Sequence, residues 1–123
     1  MFELTVEVRF SAAHRICGHP GPCARLHGHN YRVLVAVAGD ALDPQGMLVD
    51  FGELKRLCGE VVAPLDHTFL NDLPAFAGVN PTAEMLAKHI HEKVAAALAA
   101  LPGVRVARVT VFESDTARAA YSA

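Results

Sequence analysis

The stretch CARLHGHN, residues 23 to 30, places Cys23, His27 and His29 just ahead of a run that alternates apolar and polar side chains. Neutral imidazole is a favoured zinc ligand, and a catalytic zinc takes three protein ligands and keeps a fourth position open. Side chains on one face of a strand recur every second residue, so His27 and His29 share a face only if the chain there is extended. Their parity is that of Tyr31, Val33 and Val35. In the first strand, His14 likewise continues the apolar face of Phe10 and Ala12. Antiparallel pairing of the two strands, closed by the loop from Arg15 to Leu26, brings His14 opposite the His27/His29 pair, and three imidazoles converge. A lone histidine would read as an ordinary half-buried side chain. A His-x-His pair with a third histidine of matched parity reads as a metal site, and the absence of a carboxylate from the cluster favours zinc over iron. Gly28, between the two ligands, is expected to permit a close backbone approach.

The other reactive side chains divide by setting. Cys58 falls in an apolar stripe with Leu54, Leu57 and Val61 and reads as core. Cys23 lies in a loop beside the presumed ligands, where a nearby cation would lower the pKa of a thiol from about 8.5. Two roles remain open for it: fourth ligand of a closed Cys-His₃ structural site, or a base and nucleophile acting on a substrate at the open position. Cys17 is the poorer candidate for either role. In LDHTFLND, Asp66 precedes His67 directly. A carboxylate can orient an imidazole and raise its basicity, but adjacent residues face one another only at a turn; otherwise Asp66 caps a turn and His67 is exposed. Glu113 shares the face of Val109 and Val111, where a carboxylate is costly to bury unless a ligand pairs with it. His89 and His91 sit two apart on a helix and point to different sides, so they read as solvated; His19, in the Gly/Pro loop, is a weak candidate ligand.

These residues need a scaffold. Alternation from Phe2 to Phe10 marks one strand and alternation from Tyr31 to Val37 a second. Asp50 with Glu53 resembles an acidic capping box, and Phe51, Leu54, Leu57, Cys58, Val61 and Val62 follow at helical spacing to a stop near Pro64. A second helix starts at Asn80 or Thr82 and runs to about Leu101, with Met85, Leu86, Ile90, Val94, Ala97, Leu98 and Leu101 on its apolar face. Alternation returns from Val104 to Phe112, and a weaker fourth strand lies around Ala119 to Tyr121. The expected fold is α+β, in the order ββααββ, with two helices on one face of a four-stranded antiparallel sheet. Its uncovered edges suggest a homo-oligomer.

With 123 residues the chain fits one domain, 1–123. Apolar residues make up 52% and charged residues 20%, and the net charge of −2 offers no basic field for nucleic acid or an anionic membrane. No apolar run approaches a membrane span and no signal segment opens the chain, so a soluble cytoplasmic protein is expected. Three cysteines without a framework spacing suit a reducing compartment.

Together, SAAHR, CARLHGHNY, MLVDFGELK, LDHTFLND, NPTAEMLAKHI and FES resemble the 6-pyruvoyl-tetrahydropterin synthase family, most closely its bacterial 6-carboxytetrahydropterin synthase branch of queuosine biosynthesis. The resemblance covers nearly the whole chain. It implies the tunnelling fold, in which the sheets of three subunits close a barrel and two trimers stack into a homohexamer with active sites between subunits. It further implies zinc on His14, His27 and His29, proton transfer by Cys23, Asp66 and His67, and pterin binding by Glu113 and, with less to match, Thr82. The implied substrate is a small molecule, 7,8-dihydroneopterin triphosphate. In the carboxy branch it yields 6-carboxy-5,6,7,8-tetrahydropterin, acetaldehyde and triphosphate; in the pyruvoyl branch triphosphate is eliminated with internal redox. Arg9, Arg15 and Arg25 are the basic residues considered for the triphosphate. Cys23 argues against the folate-linked branch, which places glutamate there, while the final strand ESDTARAAYSA lacks clear alternation and a second cysteine. A cupin-type oxygenase also begins with His-x-His on a strand, but Asn30, Tyr31, Arg32 and Val33 follow where that motif expects a glutamate. A non-enzymatic, zinc-stabilised oligomerisation module is the remaining rival.

Overall fold

Residues 1–123 are described by a computed structural model, the side chain of Cys23 excepted. The first alternating run forms β1 (Phe2–His14) and the second β2 (His27–Gly39), longer than their apolar cores because both continue into the histidines. They pair antiparallel in full register, with Val6 opposite Val35 and His14 opposite His27. Where β2 ends, Gly39 is required: a Cβ there would collide with the Gly103 carbonyl and the Leu48 side chain.

Asp50 caps α1 (Phe51–Val62), its carboxylate accepting from the Glu53 backbone N–H at 2.9 Å. Glu53 does not complete a reciprocal box; its carboxylate pairs with Arg56 one turn on. Thr82 is the cap of α2 (Ala83–Leu98), its hydroxyl accepting from the Met85 N–H at 3.1 Å. The helix stops three residues before Leu101, which is exposed. Two segments finish the chain: β4 (Arg105–Ser114), antiparallel to β2, and β5 (Ala117–Tyr121), antiparallel to β4.

The expected four-stranded antiparallel sheet gains a fifth member. Thr68 and Phe69 form β3, which runs parallel to β1 opposite Ala12 and Ala13, giving a mixed sheet in the order β3-β1-β2-β4-β5. Two residues are too few to show a period, so their sequence carries no strand signal. The fold remains α+β with both helices on one sheet face, and the sheet of a single chain is open. Val6, Phe10, Tyr31, Val33, Val35, Val109 and Val111 are buried against Leu54, Cys58 and Val62 of α1 and Leu86, Ile90, Val94 and Leu98 of α2. Burial raises the Cys58 thiol to about 11, consistent with an inert core residue.

His89 and His91 are not the solvated residues their helical position suggested. His89 is half-buried against the Phe76 ring, and His91 is 5% exposed with its ring edge-on to Tyr121. α2 packs on β5 as well as β4, which widens its buried stripe to include position 91.

Candidate active site

Strand register alone assembles the histidines. Opposition of His14 and His27 across the β1–β2 ladder, with His29 two residues on, brings one nitrogen of each ring within 4.8 Å of the others. Their protonation follows from their partners. The Pro81 carbonyl lies 2.8 Å from His14 Nδ1 and the Arg25 carbonyl 2.7 Å from His27 Nδ1. A carbonyl only accepts, so each Nδ1 carries a proton and donates it, which puts the lone pair of a neutral ring at Nε2. The two Nε2 atoms face one another at 2.9 Å. Two opposed lone pairs repel unless a cation or proton lies between them. His29 Nε2 is buried and has no hydrogen-bond partner among the described residues. Three inward-facing nitrogens, one of them orphaned, fit a divalent metal bound through Nε2, and the two carbonyls hold the rings as outer partners of such ligands usually do.

The surroundings of His29 disfavour its charged form. Burial, then the neighbouring imidazoles, depresses the pKa of His29, against an opposing pull from the Glu113 carboxylate. Tyr31, fully buried beneath the rings, has its hydroxyl 3.3 Å from His14 Nδ1, and burial raises its pKa. The expectation that Gly28 serves a close approach is not met: a Cβ there would sit 3.5 Å from the Ala12 carbonyl, an ordinary contact. Gly28 instead lines a pocket of about 530 Å³ with Ser11, His29, Asn30, His67 and Thr68.

Asp66 and His67 meet through an unusual backbone. His67 adopts φ +56°, the left-handed region that non-glycine residues rarely occupy, and its Nδ1 lies 2.9 Å from Asp66 Oδ2. Ser11 fixes both residues, its N–H donating to Asp66 Oδ1 at 2.9 Å and its carbonyl accepting from the His67 N–H at 2.6 Å. The Ser11 N–H, then His67, holds the Asp66 carboxyl below its ordinary range, so it stays anionic. His67 Nδ1 therefore donates to Asp66, which leaves Nε2 as the ring atom that can exchange a proton, on a ring that is 83% exposed at the pocket wall.

Glu113 is delivered by a register shift. Phe112 pairs with Arg118 and Ser114 with Ala117, which leaves Glu113 unpaired in the β4–β5 ladder. Such bulges re-aim a side chain. Its carboxylate stands 3.8 Å from His14 Nε2 and lines a second pocket, of about 340 Å³, with Ile16, His19, Thr82 and Arg118. His19 is exposed, its Nδ1 accepting from the Gly21 N–H, and it lies outside the three-histidine group. Cys23 belongs to the 3-10 turn Pro22–Ala24 that leads into β2; its side chain lies outside the described residues. Cys17 is exposed, and Cys58 lies in the core. Arg9, Arg15 and Arg25 are all exposed, and Arg9 is paired with Glu7. The supporting roles of Ser11, Tyr31 and the Pro81 carbonyl leave no mark in the sequence, because nothing in their residue types signals them.

The model of the family described as 6-pyruvoyl tetrahydropterin synthase matches residues 3–123. The chain belongs to this family. It is 42% identical over 120 residues to a 6-carboxy-5,6,7,8-tetrahydropterin synthase of Bacillus subtilis (strain 168), covering 94% of this chain and 80% of the relative. A protein of Archaeoglobus fulgidus described as a putative 6-carboxy-5,6,7,8-tetrahydropterin synthase is 39% identical over 110 residues, covering 89% and 86%. The solved structure of Caenorhabditis elegans 6-pyruvoyl tetrahydropterin synthase superposes with a TM-score of 0.83 at 28% identity, covering all of this chain and 97% of the other. The three-histidine group therefore sits within a 6-pyruvoyl tetrahydropterin synthase domain that spans essentially the whole chain.

Proposed function

We propose that this chain is a zinc-dependent 6-carboxy-5,6,7,8-tetrahydropterin synthase. It acts on 7,8-dihydroneopterin triphosphate and releases acetaldehyde and triphosphate. The observation that carries the chemistry is the set of three inward Nε2 atoms beside an Asp66-oriented His67. The carboxy product is preferred because the relatives of 42% and 39% identity bear that name, against 28% for the pyruvoyl synthase structure.

His14, His27 and His29 hold the zinc, which supplies a Lewis acid for the oxygens of the substrate side chain. His67 takes a proton at Nε2, with its Nδ1–H anchored on Asp66. Cys23, in the turn ahead of His27, is the second proton-transfer group. Glu113 accepts the N–H donors of the pterin ring. Thr82 spends its oxygen capping α2 but retains its O–H to donate to the ring in the same pocket.

The active assembly is a homohexamer, a dimer of trimers, and the domain is the single unit 1–123. β3 covers β1 only at Ala12 and Ala13, and β5 ends the sheet, so two strand edges are left for neighbouring copies. A cytoplasmic location accords with the thiol content, and no helix is long and apolar enough to cross a membrane.

Metal analysis of Cys23→Ala tests the division of labour. The variant is expected to retain full zinc and lose turnover. Loss of zinc together with stability would instead make Cys23 a fourth ligand and the centre a structural staple.

A further inference from the structure

We propose that Asn80 is a positioning residue for the metal centre: its side-chain amide fastens the loop after His14 to the segment before α2 and so holds the Pro81 carbonyl on His14 Nδ1. This rests on the three-histidine metal reading above.

The loop beyond β1 has no strand partner, and its backbone groups need one. Two asparagines supply it. The Cys17 N–H donates to Asn80 Oδ1 and Asn80 Nδ2 donates to the Cys17 carbonyl, both at 2.9 Å. Asn71 makes the same pair of bonds to Arg15, both at 3.0 Å. Each amide thus imitates an adjacent strand.

The two clamps differ in what lies beside them. Pro81 is buried, has no N–H of its own, and is bracketed by fixed residues: Asn80, tied to Cys17, and Thr82, tied as the cap of α2. The Thr82 N–H also donates to the Asn80 carbonyl at 2.9 Å, closing a tight turn around the proline. The one polar group Pro81 has, its carbonyl, is aimed at His14 Nδ1. That bond selects the tautomer whose Nε2 lone pair faces the metal, and outer partners of this kind govern affinity. Asn71 instead fastens the Arg15 backbone next to His14 and, among the described residues, makes no hydrogen bond to the Pro81 segment, so it separates anchoring of the His14 backbone from placement of the Pro81 carbonyl.

The test is Zn²⁺ affinity, read by competition with a chromophoric chelator, together with the visible spectrum of the Co²⁺-substituted protein. Asn80→Ala is expected to weaken Zn²⁺ binding by about 10–100-fold and to shift the Co²⁺ bands, while Asn71→Ala, which loses the equivalent pair of bonds to Arg15 but keeps the Pro81 carbonyl in place, weakens binding clearly less. Asn80→Asp keeps the acceptor for the Cys17 N–H and loses the donor, so it falls between wild type and Asn80→Ala; it substitutes if the alanine variant does not fold. Equal affinity in wild type and the Asn80 variants overturns the proposal, as does equal weakening by Asn71→Ala. A wild-type protein that binds no zinc refutes the metal reading itself, and this proposal with it.

Discussion

Replacing His67 with glycine separates what this residue does for chemistry from what it costs the fold. Its φ of +56° imposes on a non-glycine residue a penalty of about 1–2 kcal/mol. Glycine removes that penalty but gains freedom in the unfolded chain worth about 0.5–1 kcal/mol. The ring is 83% exposed, so little packing is lost, and its pairing with Asp66 is a solvent-exposed contact of small net value. The backbone N–H that donates to Ser11 survives the change. His67→Gly is therefore expected to be more stable than wild type, by up to about 1.5 kcal/mol, seen as a higher urea midpoint at unchanged slope. Loss of the proton carrier lowers kcat by about 10²–10⁴-fold with metal content intact. Strain retained at one residue only because its side chain works there is what such an outlier signifies. A lower midpoint in the variant, or turnover at the wild-type level, would refute this account.

Glu113→Gln replaces a half-buried carboxylate acceptor with an amide, at a position close to but outside the three-histidine group. A hydrogen bond to a charged group is worth about 1.5–3 kcal/mol, so KM is expected to rise by roughly 10- to 150-fold while zinc stoichiometry holds; unchanged KM would remove Glu113 from the pterin site. In the metal-free protein, burial lowers the pKa values of His29, His89 and His91 in the native state. Below the unfolded value of about 6.5 the unfolded chain binds the extra protons, so stability declines as pH falls through that region, by at most about 1.4 kcal/mol per pH unit for each histidine. Denaturant midpoints between pH 7.5 and 5.5 check the sign, and His91→Phe should flatten the slope; stability that rises on acidification would contradict it.

What sequence made visible follows from periodicity. Strand period two assigned His14, His27 and His29 to one face, and antiparallel pairing made them converge, since both rules are local. The cap Asp50 was legible for the same reason, whereas the start of α2 was legible only as Asn80 or Thr82, and the structure selects Thr82. Features set by tertiary context were not. The Asp66–His67 pairing depends on one dihedral angle at His67, Glu113 on a bulge, and β3 on two residues docked to β1. The burial of His91 is not legible because β5 covers a helix face that periodicity leaves free. The clamps of Asn71 and Asn80 join positions 56 and 63 residues away, a separation no local pattern records.

Reaction of the zinc-loaded wild-type protein with 7,8-dihydroneopterin triphosphate, followed by identification of the products, decides whether the chain is a carboxytetrahydropterin synthase. Formation of 6-carboxy-5,6,7,8-tetrahydropterin with an equal amount of acetaldehyde is the expected result. 6-Pyruvoyl-tetrahydropterin without acetaldehyde would contradict the carboxy assignment, and no turnover with the three-histidine site fully loaded would contradict the enzyme.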